Sequence, residues 1–126
     1  MDKLYITGDL VYIHGSLRII SNCDGYYATY YDENESLQEV NVNVIEGVPL
    51  TQEILEKNGW KKKMYCDWCH YLPIEGNILY LSKGVGIDGA FSVDVGQGMS
   101  HIACISFVHQ LQHLFFGFGL SSKMEV

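Results

Sequence analysis

Positive charge is scarce in this chain. Eight lysines and arginines stand against 15 aspartates and glutamates, a formal net charge of −7 over 126 residues. A protein that binds nucleic acid through its phosphates needs a basic face, so the balance argues against nucleic acid as a partner. The one basic cluster, Lys61-Lys62-Lys63, falls between a predicted helix end and a strand and reads as a solvated element end. Proline is also rare, two residues against 13 glycines. With nine tyrosines, that leans towards many strands and tight turns. No apolar run approaches the roughly 20 residues of a membrane-spanning helix, so no membrane partner is expected. The opening Met1-Asp2-Lys3-Leu4-Tyr5 lacks the basic, apolar, small-residue order of a secretory signal, and the expected location is the cytoplasm.

Catalytic spellings are missing as well. There is no G-x-S-x-G elbow and no H-E-x-x-H helix. Ser100 and His101 are adjacent, with Asp88 and Asp94 near them, but a triad is defined by spatial roles and not by adjacency. Gly84-Val85-Gly86-Ile87-Asp88-Gly89 spells G-x-G-x-x-G, yet a dinucleotide site needs a helix to begin inside the motif. The next residues, Ala90 to Val95, alternate like a strand, so these glycines read as turns. No catalytic residue is assigned, and a binding role is favoured over an enzymatic one.

The four cysteines, Cys23, Cys66, Cys69 and Cys104, are expected to be free thiols in a reducing compartment. Cys23 and Cys104 read as small core residues in apolar strands. Cys66-Asp67-Trp68-Cys69-His70 is a C-x-x-C-H run. Haem attachment would need export. Zinc is the better metal for two such thiolates, with His109 and His113 as the missing half, but 39 residues separate Cys69 from His109. The plainer reading is two ordinary thiols, and neither metal nor cofactor is assigned.

At 48% apolar and 18% charged residues, the composition is that of a folded domain. The chain reads as a single domain over 1–126, of class α+β. Residues 1–48 form a β-meander. Asp9 to His14 and Leu17 to Cys23 alternate as strands around a Gly15-Ser16 turn, and Asp24-Gly25 opens a hairpin into Tyr26 to Tyr31. An acidic loop over 32–36 precedes a period-two strand carrying Val40, Val42 and Val44. Such short strands joined by tight turns predict an SH3-like antiparallel barrel. Over 49–126, a helix from Gln52 to Asn58 is signalled by Thr51 as N-cap and Gly59 as its stop. Further antiparallel strands come at Trp60–Tyr65, Trp68–Leu72, Ile78–Ser82 and Ala90–Val95. His101–Ser106 is either a last strand or a lead-in. A C-terminal amphipathic helix from about Ser106 to Phe116 or Phe118, with Val108, Leu111, Leu114, Phe115 and Phe118 as its apolar stripe, is expected to pack on the sheets.

Two groups of residues are candidates for binding. Tyr26 and Tyr30 face one side of a strand, and Tyr27 and Tyr31 the other. One pair is expected near solvent, where tyrosines give rigid contact area; the alternative is a core pair and a pair covered by the C-terminal helix. The second group is the polar edge of that helix. His109 and His113 stand one turn apart beside Gln110 and Gln112, and read either as a contact surface or as residues that cap strands or face water.

Three stretches carry a resemblance. They are Thr7-Gly8-Asp9-Leu10-Val11-Tyr12, Gly47-Val48-Pro49-Leu50-Thr51-Gln52-Glu53-Ile54-Leu55-Glu56-Lys57-Asn58-Gly59-Trp60, and Phe107 to Phe116 with its core Val108-His109-Gln110-Leu111-Gln112. Together they resemble a family of small proteins from phages and prophages of Bacteroides-type gut bacteria. The segment Cys66 to Ser100 lies outside the likeness. After the helix the family pattern runs Ala-Leu-Thr-Gly and then acidic residues, whereas Gly117-Phe118-Gly119-Leu120-Ser121 stands here. The resemblance implies a phage or mobile-element origin, and so the cytoplasm of a bacterial host; it supplies no reaction and no catalytic residue. The expected function is a non-enzymatic binding module that acts on a host protein, as in counter-defence. The alternative is sequestration of a small nucleotide signal by a homo-oligomer, and the third reading is a zinc-supported hydrolase. Tyr27, Tyr30, Tyr31, His109, Gln110, Gln112 and His113 are the candidate binding residues.

Overall fold

In the computed structural model, which describes residues 5–64, 69–83, 90–96, 98 and 100–126, strand β1 (Leu10–Ile13) turns back at once into β2 (Ser16–Ile19). The turn falls on His14 and Gly15, both at positive φ (52° and 79°), one residue earlier than the sequence suggests. Positive φ at both central positions gives the turn whose twist matches a right-handed hairpin, and Gly15 takes it without a Cβ penalty. The described strands are paired antiparallel throughout. With two α-helices they make a mixed α+β protein whose strands lie in three sheets, and no closed barrel is formed among them. The chain divides into two compact units, one of 1–49 with 107–124, the other of 50–106 with 125–126.

The first unit holds two three-stranded sheets, β2-β1-β6 and β3-β4-β5, with β3 at Asn22–Cys23, β4 at Tyr27–Tyr31, β5 at Leu37–Asn41 and β6 at Ile45–Gly47. The chain passes from one sheet to the other at Ile20-Ser21. The Ile20 amide donates to the Asp9 carbonyl (2.9 Å), and the Ser21 amide donates to Thr29 (2.7 Å). Between the sheets lie Val11, Ile13, Ile20, Ala28, Tyr30, Val42 and Ile45, with Tyr5 joining them. The expected period-two strand through Val44 stops at Asn41. The Asn41 side chain accepts from the Asn43 amide (2.9 Å) and starts a 3-10 turn over Val42–Val44. A short polar side chain that bonds its own backbone in this way competes with the strand ladder.

Helix α2 (Val108–Gly117) belongs to this unit. Its entry is fixed by a bridge between Pro49 and Phe107 and by the Val108 amide donating to Val48 (2.8 Å). Val108, Leu111 and Phe115 are buried, as the stripe predicts. Phe118 is exposed, because the helix ends at Gly117 and the residue leaves the helical spacing. Gly47 lets the Phe107 ring close on the backbone of β6: a Cβ there would stand 2.5 Å from Phe107 Cδ1 and 2.7 Å from Cγ. Gly47→Ala is therefore expected to displace the ring and destabilise the unit by about 1–3 kcal/mol, read as a shift in the unfolding midpoint.

The second unit starts with helix α1 (Gln52–Lys57), where Thr51 Oγ1 accepts from the Ile54 amide at 3.2 Å. The Asn58 side chain donates to Ile54 and to Glu125. A five-stranded meander comes next, in the order β11-β10-β9-β8-β7, with β7 at Lys61–Lys62, β8 at Cys69–Ile74, β9 at Asn77–Lys83, β10 at Phe91–Val95 and β11 at Ser100–Ile105. Residues 100–105 are thus strand and not a lead-in. Alternation is clean on the central strands: Leu79, Leu81, Phe91 and Val93 are fully buried, while Tyr80, Ser82, Ser92 and Asp94 take the other face. Cys104 is exposed on β11 and not in the core, and Cys23 is half-buried. No helix of the described residues is long and apolar enough to cross a membrane. The expected strand ends at Tyr65 and Trp68, the Asp88-Gly89 turn and the G-x-G-x-x-G run at 84–89 lie outside the described residues.

Candidate functional site

The Asp24 side chain builds the turn that presents the tyrosines. Its Oδ1 accepts from the amides of Tyr26 and Tyr27, both at 2.8 Å. The Tyr27 amide, then the Tyr26 amide, hold the carboxyl below its ordinary value. From there β4 runs with strict alternation. Ala28 and Tyr30 point into the core, Tyr30 being only 8% exposed, whereas Tyr27 and Tyr31 stand 49% and 59% exposed. The tyrosine pair near solvent is therefore Tyr27 and Tyr31, and Tyr26 in the turn is exposed as well. Register adds a residue that sequence reasoning did not single out: Leu37 on β5 lies opposite Tyr31 and is exposed. Nothing in the local sequence marks Leu37; the cross-strand pairing alone puts it on that face.

Beside Tyr31 opens a groove of about 500 Å³, lined further by Leu17, Arg18, Ile19, Ile20 and Ser21. Leu17 and Ile19 are exposed apolar residues of β2, a strand at the edge of its sheet. Arg18 Nη2 donates to Glu33 Oε2 (2.8 Å), and its guanidinium lies 5.5 Å from the Tyr30 ring centre. The loop that carries Glu33 is pinned by Asp32, whose Oδ1 accepts from Asn34 and Ser36 and whose Oδ2 accepts from the Gln38 side chain. The Ser36 amide foremost holds the Asp32 carboxyl below its usual value. The surroundings are acidic. From Ile19 to Pro49 the chain carries Asp24, Asp32, Glu33, Glu35, Glu39 and Glu46 and no lysine or arginine. The result is an apolar and aromatic face on an acidic segment, with Arg18 at the groove paired to Glu33.

The helix edge is arranged differently. Gln112 is 2% exposed. Its Oε1 accepts from the Leu10 amide (2.9 Å), and its Nε2 donates to the carbonyls of Gly8 and Ser122, both 3.0 Å away. Gln110 Oε1 accepts from the Phe107 amide at the helix start (3.0 Å). His113 Nε2 lies 2.7 Å from Asp9 Oδ2, an oxygen that also accepts from the Ile6 amide. Burial pushes the Asp9 carboxyl up from its ordinary value, against the pull of the Ile6 amide and of His113. His109 packs between Tyr5 (ring centres 5.0 Å apart) and Phe107 (5.8 Å), edge-on to His113. Burial, then the neighbouring His113, lowers its pKa to about 4, and its Nδ1 has no hydrogen-bond partner. Gln112 and His113 thus fix α2 to the start of β1, Gln110 closes the first turn of its own helix, and His109 packs among aromatic rings. Asp9, the partner of His113, was not apparent in the sequence because 103 residues intervene between the two.

Of the remaining sequence candidates, His101 and Asp94 come together, Nδ1 lying 3.3 Å from Oδ1, while Asp88 lies outside the described residues. Cys69 is buried on β8, and Cys66 lies outside the described residues. Among the described residues no three histidine, cysteine, aspartate or glutamate side chains are placed to hold one metal ion. No protein-family model, no curated protein and no solved structure matches this chain.

Proposed function

We propose that the chain is a non-catalytic binding module of phage or mobile-element origin, which docks on a host protein through the face formed by Tyr27, Tyr31 and Leu37 and the groove beside it. The observation that carries this reading is the outward pair Tyr27 and Tyr31, on a segment from Ile19 to Pro49 that holds six carboxylates and no lysine or arginine, with Arg18 at the groove paired to Glu33. Tyrosines exposed in this way supply rigid amphipathic contact area at low entropic cost. The fitting partner is a protein with an apolar patch bordered by lysine and arginine, so association weakens as salt rises. Origin and host rest on the resemblance of residues 7–12, 47–60 and 107–116. The first unit is read further as an SH3-like arrangement. A strand path bent at Ile20-Ser21 shared by two sheets, and a final strand β6 that returns to pair with β1, support that reading.

The test is capture of the partner from host lysate, followed by titration with the purified partner. The double variant Tyr27→Ser, Tyr31→Ser is expected to weaken binding by about 30-fold or more with its unfolding midpoint nearly unchanged, because both side chains face solvent. Phe116→Ser, an exposed change on α2, is expected to leave affinity as it is. Equal affinity of the tyrosine variant and the unchanged protein would remove the basis of the proposal. One observation favours a second reading, capture of a small nucleotide signal: Arg18 and Tyr31 line a groove within the roughly 300–1,000 Å³ of small-molecule sites. A nucleotide released intact on denaturing the protein, and lost from the Arg18→Gln variant, would decide for it.

A further inference from the structure

Strand β11 contains an irregularity with chemical consequences. Cys104 pairs with Ser92 and Ala103 with Val93, but the next partner of Asp94 is His101, so Ile102 is an extra residue. In an unbroken strand, residues 101 and 104 would point to opposite faces. Cys104 shares the face of Ser92 through its regular pairing, and the bulge turns His101 to that same face beside Asp94; re-aiming a side chain in this way is what bulges near functional sites do. The outcome is a connected set. Cys104 Sγ lies 3.8 Å from His101 Nε2. His101 Nδ1 lies 2.9 Å from Ser92 Oγ and 3.3 Å from Asp94 Oδ1. A carboxylate only accepts whereas the Ser92 hydroxyl can also accept, so the tautomer that satisfies Asp94 carries its proton on Nδ1 and presents the Nε2 lone pair to the thiol. A nucleophile beside a base that a third group orients is the arrangement that activates cysteine.

We infer that Cys104 is an activated thiol that exchanges with small disulfides, His101 acting as its base and Asp94 with Ser92 as positioning residues. His101 Nε2 takes the thiol proton. The Cys104 sulfur attacks one sulfur of R–S–S–R, the Cys104–S–S–R bond forms as the old disulfide bond breaks, and R–S⁻ leaves and recovers the proton from the imidazolium as R–SH. The protein thiol is oxidised to a mixed disulfide, and half of the small disulfide is reduced. Accessibility suits this chemistry: Cys104 is exposed and the His101 side chain is 55% exposed. An open sheet face admits a small disulfide directly, and the reaction needs no enclosed cleft.

The experiment incubates the full chain with glutathione disulfide at pH 7 and tracks each cysteine by peptide mass mapping. Native Cys104 is expected to react about tenfold faster than the same residue in urea-unfolded chain, although unfolding only increases access. His101→Gln is expected to lower the native rate by about tenfold. Asp94→Asn should lower it comparably, because an asparagine amide can donate to Nδ1 and moves the ring proton to Nε2. Cys23 serves as the internal control and its rate should stay the same in both variants. Buried Cys69 reports folding: if it becomes reactive in a variant, that variant has unfolded and the native-against-urea comparison alone decides. A native Cys104 rate no faster than in urea overturns the inference, as does a folded His101→Gln protein that reacts at the unchanged rate.

Discussion

Gln112→Ala is expected to lower the stability of the first unit by about 3 kcal/mol, the largest effect of any single change outside the apolar core. The side chain satisfies three backbone groups at once: the Leu10 amide, the Gly8 carbonyl and the Ser122 carbonyl. Truncation leaves a buried donor at the start of β1 without a partner, and an unsatisfied buried group costs its full desolvation penalty of roughly 1–3 kcal/mol. The two released carbonyls and the cavity add to that. Gln112→Glu separates the contributions. It retains an acceptor for Leu10 but removes both donors and brings a second carboxylate towards Asp9, so it is expected to be no better than alanine. Trp60 is buried in the other unit, so its fluorescence reports that unit. Amide exchange at Val11 and Ile13 on β1 is the suitable measurement. Unchanged protection there in Gln112→Ala would mean that the amide is not the clamp its geometry describes.

The legible part of the sequence was local. Thr51 and Gly59 delimited α1 within a residue, because capping chemistry acts over one turn of backbone. Alternation in Tyr27 to Tyr31 implied one exposed tyrosine pair, because strand period is a property of the chain itself. The features that escaped depended on partners far along the chain or on single-residue irregularities. The helix edge at His109 to His113 looks amphipathic in isolation, yet Gln112 is buried because Leu10 and Gly8 offer it backbone groups from the far end of the chain. Val42 and Val44 kept the period of a strand while Asn41 closed a 3-10 turn beneath them. The bulge at Ile102 leaves no compositional trace, and it brings His101 to the exposed face that Cys104, alternating with buried Ile105, already occupies. Leu37 entered the candidate face only through its register with Tyr31.

His109 makes the stability of the first unit depend on pH in a window set by one buried ring. Its folded pKa of about 4 lies below the ordinary value near 6.5, so the unfolded chain binds the proton more readily. The stabilisation is fully present above pH about 6.5, declines as the pH falls towards 4, and amounts to roughly 3 kcal/mol once lost. Asp9 works in the opposite sense. Its folded value is raised, chiefly by burial, so its contribution is present at low pH and is lost as the pH rises through that value. Where the two titrations overlap, protonation of Asp9 offsets part of the loss from His109. His113, which touches both groups, and Tyr5, whose ring lies 5.0 Å from that of His109 and whose pKa is raised by burial and then by Asp9, are the other titratable neighbours in the cluster. His109→Phe keeps an aromatic ring between Tyr5 and Phe107 and removes the proton linkage. In denaturant titrations at pH 7, 5.5 and 4.5, the unchanged protein is expected to lose up to about 1 kcal/mol per pH unit more than this variant, close to the limit for one proton. Parallel slopes for the two proteins would show that His109 takes up its proton as easily folded as unfolded, and the ring would then have to be reached by water.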